Sequence, residues 1–127
     1  MVRLISFGYG HLGGQAPPAA ERTEDVRTRL RDPAAARDIL DLDGRDVRVQ
    51  RVVLGTPGAR ELLVNLAAHV ALPAGPKSIA VGCVGGKHRA AALIEILGGE
   101  LRDRGIEVEI EHLHVDLPRL AAGAVKA

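Results

Sequence analysis

Cys83 and Arg89 stand in the stretch "GCVGGKHRA" with the C-x-x-G-x-x-R spacing of cysteine-dependent phosphatases. In such a loop a thiolate attacks a phosphoryl group while backbone amides and the arginine hold its oxygens. Ala90 occupies the place where those enzymes put Ser or Thr to help the thiolate leave. No general acid stands out, although Asp25 and Asp116 can be nominated. The same residues support a second chemistry, which is binding without turnover. Gly85 and Gly86 let the backbone bend sharply and bring its N–H groups close to an anion. A helix starting just after them adds free amide donors and a partial positive charge. Lys87, His88 and Arg89 add side-chain donors, and Arg can grip a phosphate with two parallel hydrogen bonds.

Other residues able to do chemistry are sparser. His112 and His114 alternate with Val108 and Ile110 along "VEIEHLH", so one strand face turns from apolar to imidazole. Either both are satisfied polar groups at a strand end, or His114, with His88, hydrogen-bonds a ligand oxygen. Cys83, His112 and His114 are metal-ligand types without the compact spacing of a metal centre, and no metal or cofactor is expected. Asp25 and Asp46 can orient Arg27 or Arg89, bond hydroxyls or an amine of a ligand, or serve as ordinary caps. His69 reads as structural or exposed, and His11 as a solvated loop residue able to close over a ligand.

The elements that must position these groups alternate along the chain. "VRLISF" (Val2 to Phe7) is a short apolar run followed by glycines, the pattern of a buried strand. "GYGHLGGQAPPAAE" is then a loop, with four glycines and two prolines, expected to be mobile unless a ligand orders it. A second strand is expected over Asp25 to Leu30, then a short helix capped by Asp32 and opened by Pro33. "RDVRVQRVVL" fits strand or helix. "TPGARELLVNLAAHVALP" predicts a helix capped by Thr56, opened by Pro57 and stopped by Pro73, with Leu62, Leu66 and Val70 recurring. "KSIAVGC" is the clearest strand. The helix after it carries Leu93, Leu97 and Leu101 on one face and ends at Gly105. Gly98-Gly99 inside it costs roughly 1 kcal/mol per glycine unless close packing requires the space. "IEVEIEHLHVD" closes the set as a strand.

This alternation predicts an α/β fold, a single three-layer domain over residues 1–127 with a mainly parallel sheet of about four strands. Ligands of such sheets lie outside the carboxyl ends of the strands. The expected boundaries are a glycine-rich loop over 8–22 and a short tail over 118–127.

Hydrophobic residues make up 46% of the sequence but only 2% are aromatic, so the core must be aliphatic. A net charge of +1 and few aromatic platforms argue against nucleic acid as the default partner. One cysteine excludes an internal disulfide framework and suits a reducing cytoplasm. No apolar run reaches the roughly 20 residues needed to span a bilayer, so no membrane association is expected.

A resemblance then covers nearly the whole chain, from about Ser6 to Leu117. "SFGYG", "DVR", "RLRDP", Asp43-Gly44-x-Asp46, "VGCVGGKHRA" and "EHLHVDL" occur in the order found in the C-terminal domain of the RapZ family of RNase adapter proteins. The resemblance implies an α/β fold similar to a phosphofructokinase-like subdomain, and makes "RDVRVQRVVL" a helix. It implies a pocket for glucosamine-6-phosphate or a similar phosphorylated metabolite, self-association into a homo-oligomer, and a protein partner. Carried over by position, the ligand residues are Ser6, Gly8, Asp25, Arg27, Asp46, Cys83, Val84, Gly85, Gly86, Lys87, His88, Arg89 and His114. The sequence departs from the family at Ala34, Val84, Ala90 and Val115, where His, Thr, Ser and Arg are usual. It has no G-x-x-x-x-G-K-[ST], the mark of the family's N-terminal domain, so a stand-alone domain is expected. Only Arg119 and Lys126 are charged in its last ten residues, so the family's RNA-binding role is not expected to carry over.

Overall fold

A computed structural model of the chain describes residues 1–30 and 39–120. The expected helix at Asp32–Pro33 and the end of the tail lie outside the described residues. Within them the order is β1 (Val2–Gly8), β2 (Arg22–Asp25), α1 (Val47–Leu54), α2 (Ala59–Ala71), β3 (Ser78–Cys83), α3 (Arg89–Asp103) and β4 (Val108–His112). The fold is α/β, and every strand pairing is parallel in the order β2-β3-β1-β4. The near-continuous apolar runs fall on the two central strands, which must be covered on both faces. The edge strands β2 and β4 instead alternate between half-buried and exposed positions.

The two faces of the sheet are covered differently. Val2 and Leu4 of β1 and Ile79, Val81 and Cys83 of β3 join residues of all three helices in the main core. Ile5, Phe7 and Ala80 face the other way, under Tyr9, Leu12 and Ala20 of the glycine-rich segment. The three layers are therefore helices, sheet and a thin cover made by that segment. A Cβ at position 82 would stand 2.5 Å from both Phe7 Cζ and the Tyr9 ring, so Gly82 makes room for the chain's single Phe and single Tyr.

Several elements differ from the sequence expectation. The second strand ends at Asp25, where it was expected to begin. The Asp25 carboxylate accepts the Arg27 N–H at 3.0 Å, closing a turn that takes the backbone out of the strand direction. "RDVRVQRVVL" is the helix α1, capped by Asp46, which accepts the Arg48 N–H; Val49 and Val53 are buried. Thr56 does not cap α2. Its hydroxyl donates to the Val53 carbonyl at 2.6 Å, and Gly58, at φ +88°, takes the N-cap position. In α3, Gly98 is the glycine that packing requires, since a Cβ there would meet Ile110 Cδ1 at 2.7 Å; Gly99 faces open space.

Candidate functional site

After β1 the chain leaves toward the thin cover, whereas after β3 it enters α3 on the helical face. Neighbouring strands whose exits diverge leave a crevice at their carboxyl ends. Two glycine backbones meet there. Gly8 pairs in register with Cys83, and a Cβ on Gly8 would lie 2.4 Å from the Gly85 carbonyl carbon. Gly86 sits at φ +71°, and its Cβ would lie 2.6 Å from Gly8 N. Gly10 N–H donates to the Val84 carbonyl at 2.9 Å, fastening the first loop to the third strand's exit. Over Gly85 the space is open, since a Cβ there would meet nothing within 4 Å among the described residues.

The turn feeds directly into α3, whose N-cap residue, His88, makes no side-chain capping hydrogen bond. The first-turn amides of α3 therefore gain no acceptor from that side chain. Cys83 is 3% exposed, and its sulfur accepts the Gly86 N–H at 3.2 Å. The thiol thus closes the turn from inside.

The two cations of the turn have different surroundings. Lys87 is half-buried, and its carbonyl accepts the Gly44 N–H at 2.8 Å. Its charge acts on Asp43, whose carboxyl is held below the usual carboxylate range chiefly by hydrogen bonds from Arg45. Arg89 is 5% exposed and points beneath the segment after β2. Its Nη1 is shared among the carbonyls of Val26, Arg27 and Leu30 at 2.8–3.1 Å. The buried Arg89 Nε has no hydrogen-bond partner among the described residues. The guanidinium that the spacing placed on a phosphate is thus anchored to protein backbone through Nη1.

Three Asp-x-Arg pairs line the same region: Asp25 with Arg27, Asp43 with Arg45, and Asp46 with Arg48. In each, the carboxylate accepts the arginine's own N–H and its guanidinium. Arg27 then lies over the Tyr9 ring at 3.8 Å from the centroid. Arg45 also reaches Asp116 at 2.7 Å, tying the segment after β4 to the Asp43 turn.

Two histidines hold the ends of β1 and β4. Ser6, fully buried, is 2.5 Å from His112 Nδ1, and His112 Nε2 donates to Glu95 on α3 at 2.8 Å. With that proton on Nε2, the neutral ring offers Nδ1 as acceptor for the Ser6 hydroxyl. His114, beyond the strand, accepts the Gly8 N–H at Nδ1, 2.8 Å away. His11 stacks beside it, with centroids 5.1 Å apart.

The structure brings Gly8, the Cys83–Arg89 turn and His114 together at one edge. Asp25 and Arg27 stand beside it on the β2 side, tied by Arg89. Ser6 faces inward to His112, and Asp46 serves as the α1 cap. Among the described residues no group of three His, Cys, Asp or Glu side chains is placed to hold a metal ion. Glu95, Arg45 and the influence of the Lys87 charge on Asp43 were not anticipated. The i, i+2 Asp-x-Arg spacing was the available signal for Arg45; Glu95 carried none, because its contact spans elements.

Fold and edge define an all-parallel α/β domain with a glycine turn at the carboxyl ends of its two central strands. The chain belongs to the RapZ C-terminal domain family, whose model matches residues 1–116. It is 36% identical over 126 residues to a nucleotide-binding protein of Thermobifida fusca (strain YX), covering 93% of this chain and 41% of that one. A nucleotide-binding protein of Acidiphilium cryptum (strain JF-5) is 35% identical over 134 residues, covering 99% and 43% respectively. The chain thus spans about two-fifths of the length of these relatives. Among the described residues no helix is long and apolar enough to cross a membrane.

Proposed function

We propose that the chain binds a phosphorylated small metabolite, an amino-sugar phosphate such as glucosamine-6-phosphate, on the Cys83–Arg89 turn. Occupancy would be passed on through self-association or a protein partner. The observation that carries this reading is the side-chain-uncapped start of α3 beside the open space over Gly85. A phosphate there meets the turn's backbone amides and the positive end of a helix that its N-cap side chain leaves uncapped. Lys87 balances its charge from the rim, and Arg89 adds a fixed positive charge beneath the turn. Because Gly86 N–H is given to Cys83, the remaining amides through His88 form the floor. His114 and Asp25 face the non-phosphate part.

Turnover by Cys83 is the weaker reading. A phosphatase needs a reachable thiolate and an arginine fork on the phosphoryl oxygens. Cys83 is 3% exposed, and Arg89 Nη1 is engaged by three carbonyls. The relatives' name, nucleotide-binding protein, adds a competitor of the same phosphate chemistry. Calorimetric titration with glucosamine-6-phosphate, glucosamine and a nucleoside monophosphate tests the assignment. Binding of the sugar phosphate well above the free sugar is expected. Equal or absent binding of both sugars rejects the phosphate-centred site, and tighter binding of the nucleotide rejects the amino sugar.

A further inference from the structure

We infer that His114 is a specificity-determining hydrogen-bond donor, held by the Gly8 amide in the Nε2–H form and reading an acceptor oxygen on the non-phosphate part of the ligand. This rests on the proposed function and sharpens the role of one residue in it. The deduction starts from a backbone group that can act in one way only. An amide N–H donates, and Gly8 N lies 2.8 Å from His114 Nδ1. Nδ1 must therefore carry a lone pair, so the neutral ring carries its proton on Nε2. Nε2 has no hydrogen-bond partner among the described residues.

Placement makes this donor relevant to the crevice. The Gly8 backbone that holds the imidazole is the same one packed against Gly85 and Gly86. The segment carrying His114 is held at two further points, Leu113 N–H to the Ser6 carbonyl and Asp116 to Arg45. The ring is thus fixed at one side of the turn. A fixed donor discriminates by chemistry. It accepts a hydroxyl, ring or carbonyl oxygen and rejects an ammonium group or another N–H at that place, because two donors would face each other. It also removes His114 from service as a general base at Nε2. That agrees with binding rather than hydrolysis.

The test uses the chain and two binding probes, glucosamine-6-phosphate and inorganic phosphate. His114→Asn keeps an acceptor, Oδ1, near the Nδ1 position for the Gly8 amide but has no donor at Nε2. It should weaken glucosamine-6-phosphate roughly three- to tenfold, one neutral hydrogen bond, and leave inorganic phosphate unchanged. His114→Phe, which loses both contacts, should weaken the sugar phosphate further. Long-range nitrogen–proton NMR of His114 should place the proton on Nε2 with and without the ligand. A proton on Nδ1, or equal losses for sugar phosphate and inorganic phosphate in His114→Asn, overturns the inference while leaving the phosphate site standing. Failure of the wild-type chain to bind either probe removes the proposed function, and the donor role with it.

Discussion

Lys87 and Arg89 are two positions apart, yet the fold gives them different work. Lys87 is half-buried at the rim with no ion pair to another described residue, so Lys87→Ala should leave thermal stability within about 0.5 kcal/mol. It should still weaken phosphate binding. Arg89→Ala leaves the Val26, Arg27 and Leu30 carbonyls without their donor and should cost about 2–3 kcal/mol by urea unfolding. If Arg89→Ala unfolds like the wild type, the carbonyl clamp carries no weight. The Ser6–His112–Glu95 chain invites a double-mutant cycle. His112→Phe strands a fully buried hydroxyl at a cost of about 1–3 kcal/mol, and adding Ser6→Ala should recover part of it. Additive losses would mean that the two residues do not interact.

At the level of elements, the junction between β1 and the β3–α3 turn depends on backbones too close for side chains. Gly86→Ala combines a positive φ of +71° with a contact of 2.6 Å to Gly8 N, so it should lower stability by more than 1 kcal/mol and disrupt binding together. Gly85→Ala has room, should fold normally, and puts a methyl group where the anion is proposed to sit. Wild-type affinity in Gly85→Ala would move the ligand elsewhere. Part of this junction was legible in sequence: two adjacent glycines between an apolar strand and a helix signal a tight turn. That Gly8 is its counterpart was not, because their contact follows from parallel register across 77 intervening positions' worth of chain (Gly8 to Gly86).

For the molecule as a whole, the titrating groups predict two steps of acid sensitivity. Burial first, and then the neighbouring His11 charge, lower the His114 pKa from its ordinary 6.5. The unfolded chain then binds a proton before the folded one does. The stability contributed is complete above pH 6.5, declines as pH falls toward the lower folded value, and is flat below it. Asp25 and Asp43 are lowered chiefly by hydrogen bonds from Arg27 and Arg45, and Glu24 is lowered by its Arg22 and Arg29 contacts against the opposing effect of burial. Their contribution is present above the ordinary carboxylate range and is lost as pH falls below it. Urea unfolding from pH 8 to pH 3 should show both declines, and His114→Asn should erase the first alone. A first decline that survives this substitution assigns it to another histidine.

Composition and periodicity alone determined an aliphatic α/β domain with a mainly parallel sheet, its first, third and last strands, the two longer helices, and a glycine turn leading into a cationic helix start. These are local properties, written in runs of neighbouring residues and their spacing. Helix or strand at 46–54 was balanced until the main core claimed Val49 and Val53 on one side. Tertiary structure decided which cation faces outward, which histidine nitrogen holds the proton, and which strand exits diverge. Each of those depends on groups brought together from distant segments, where burial and an unpaired carbonyl or amide outweigh the preferences of the side chain itself.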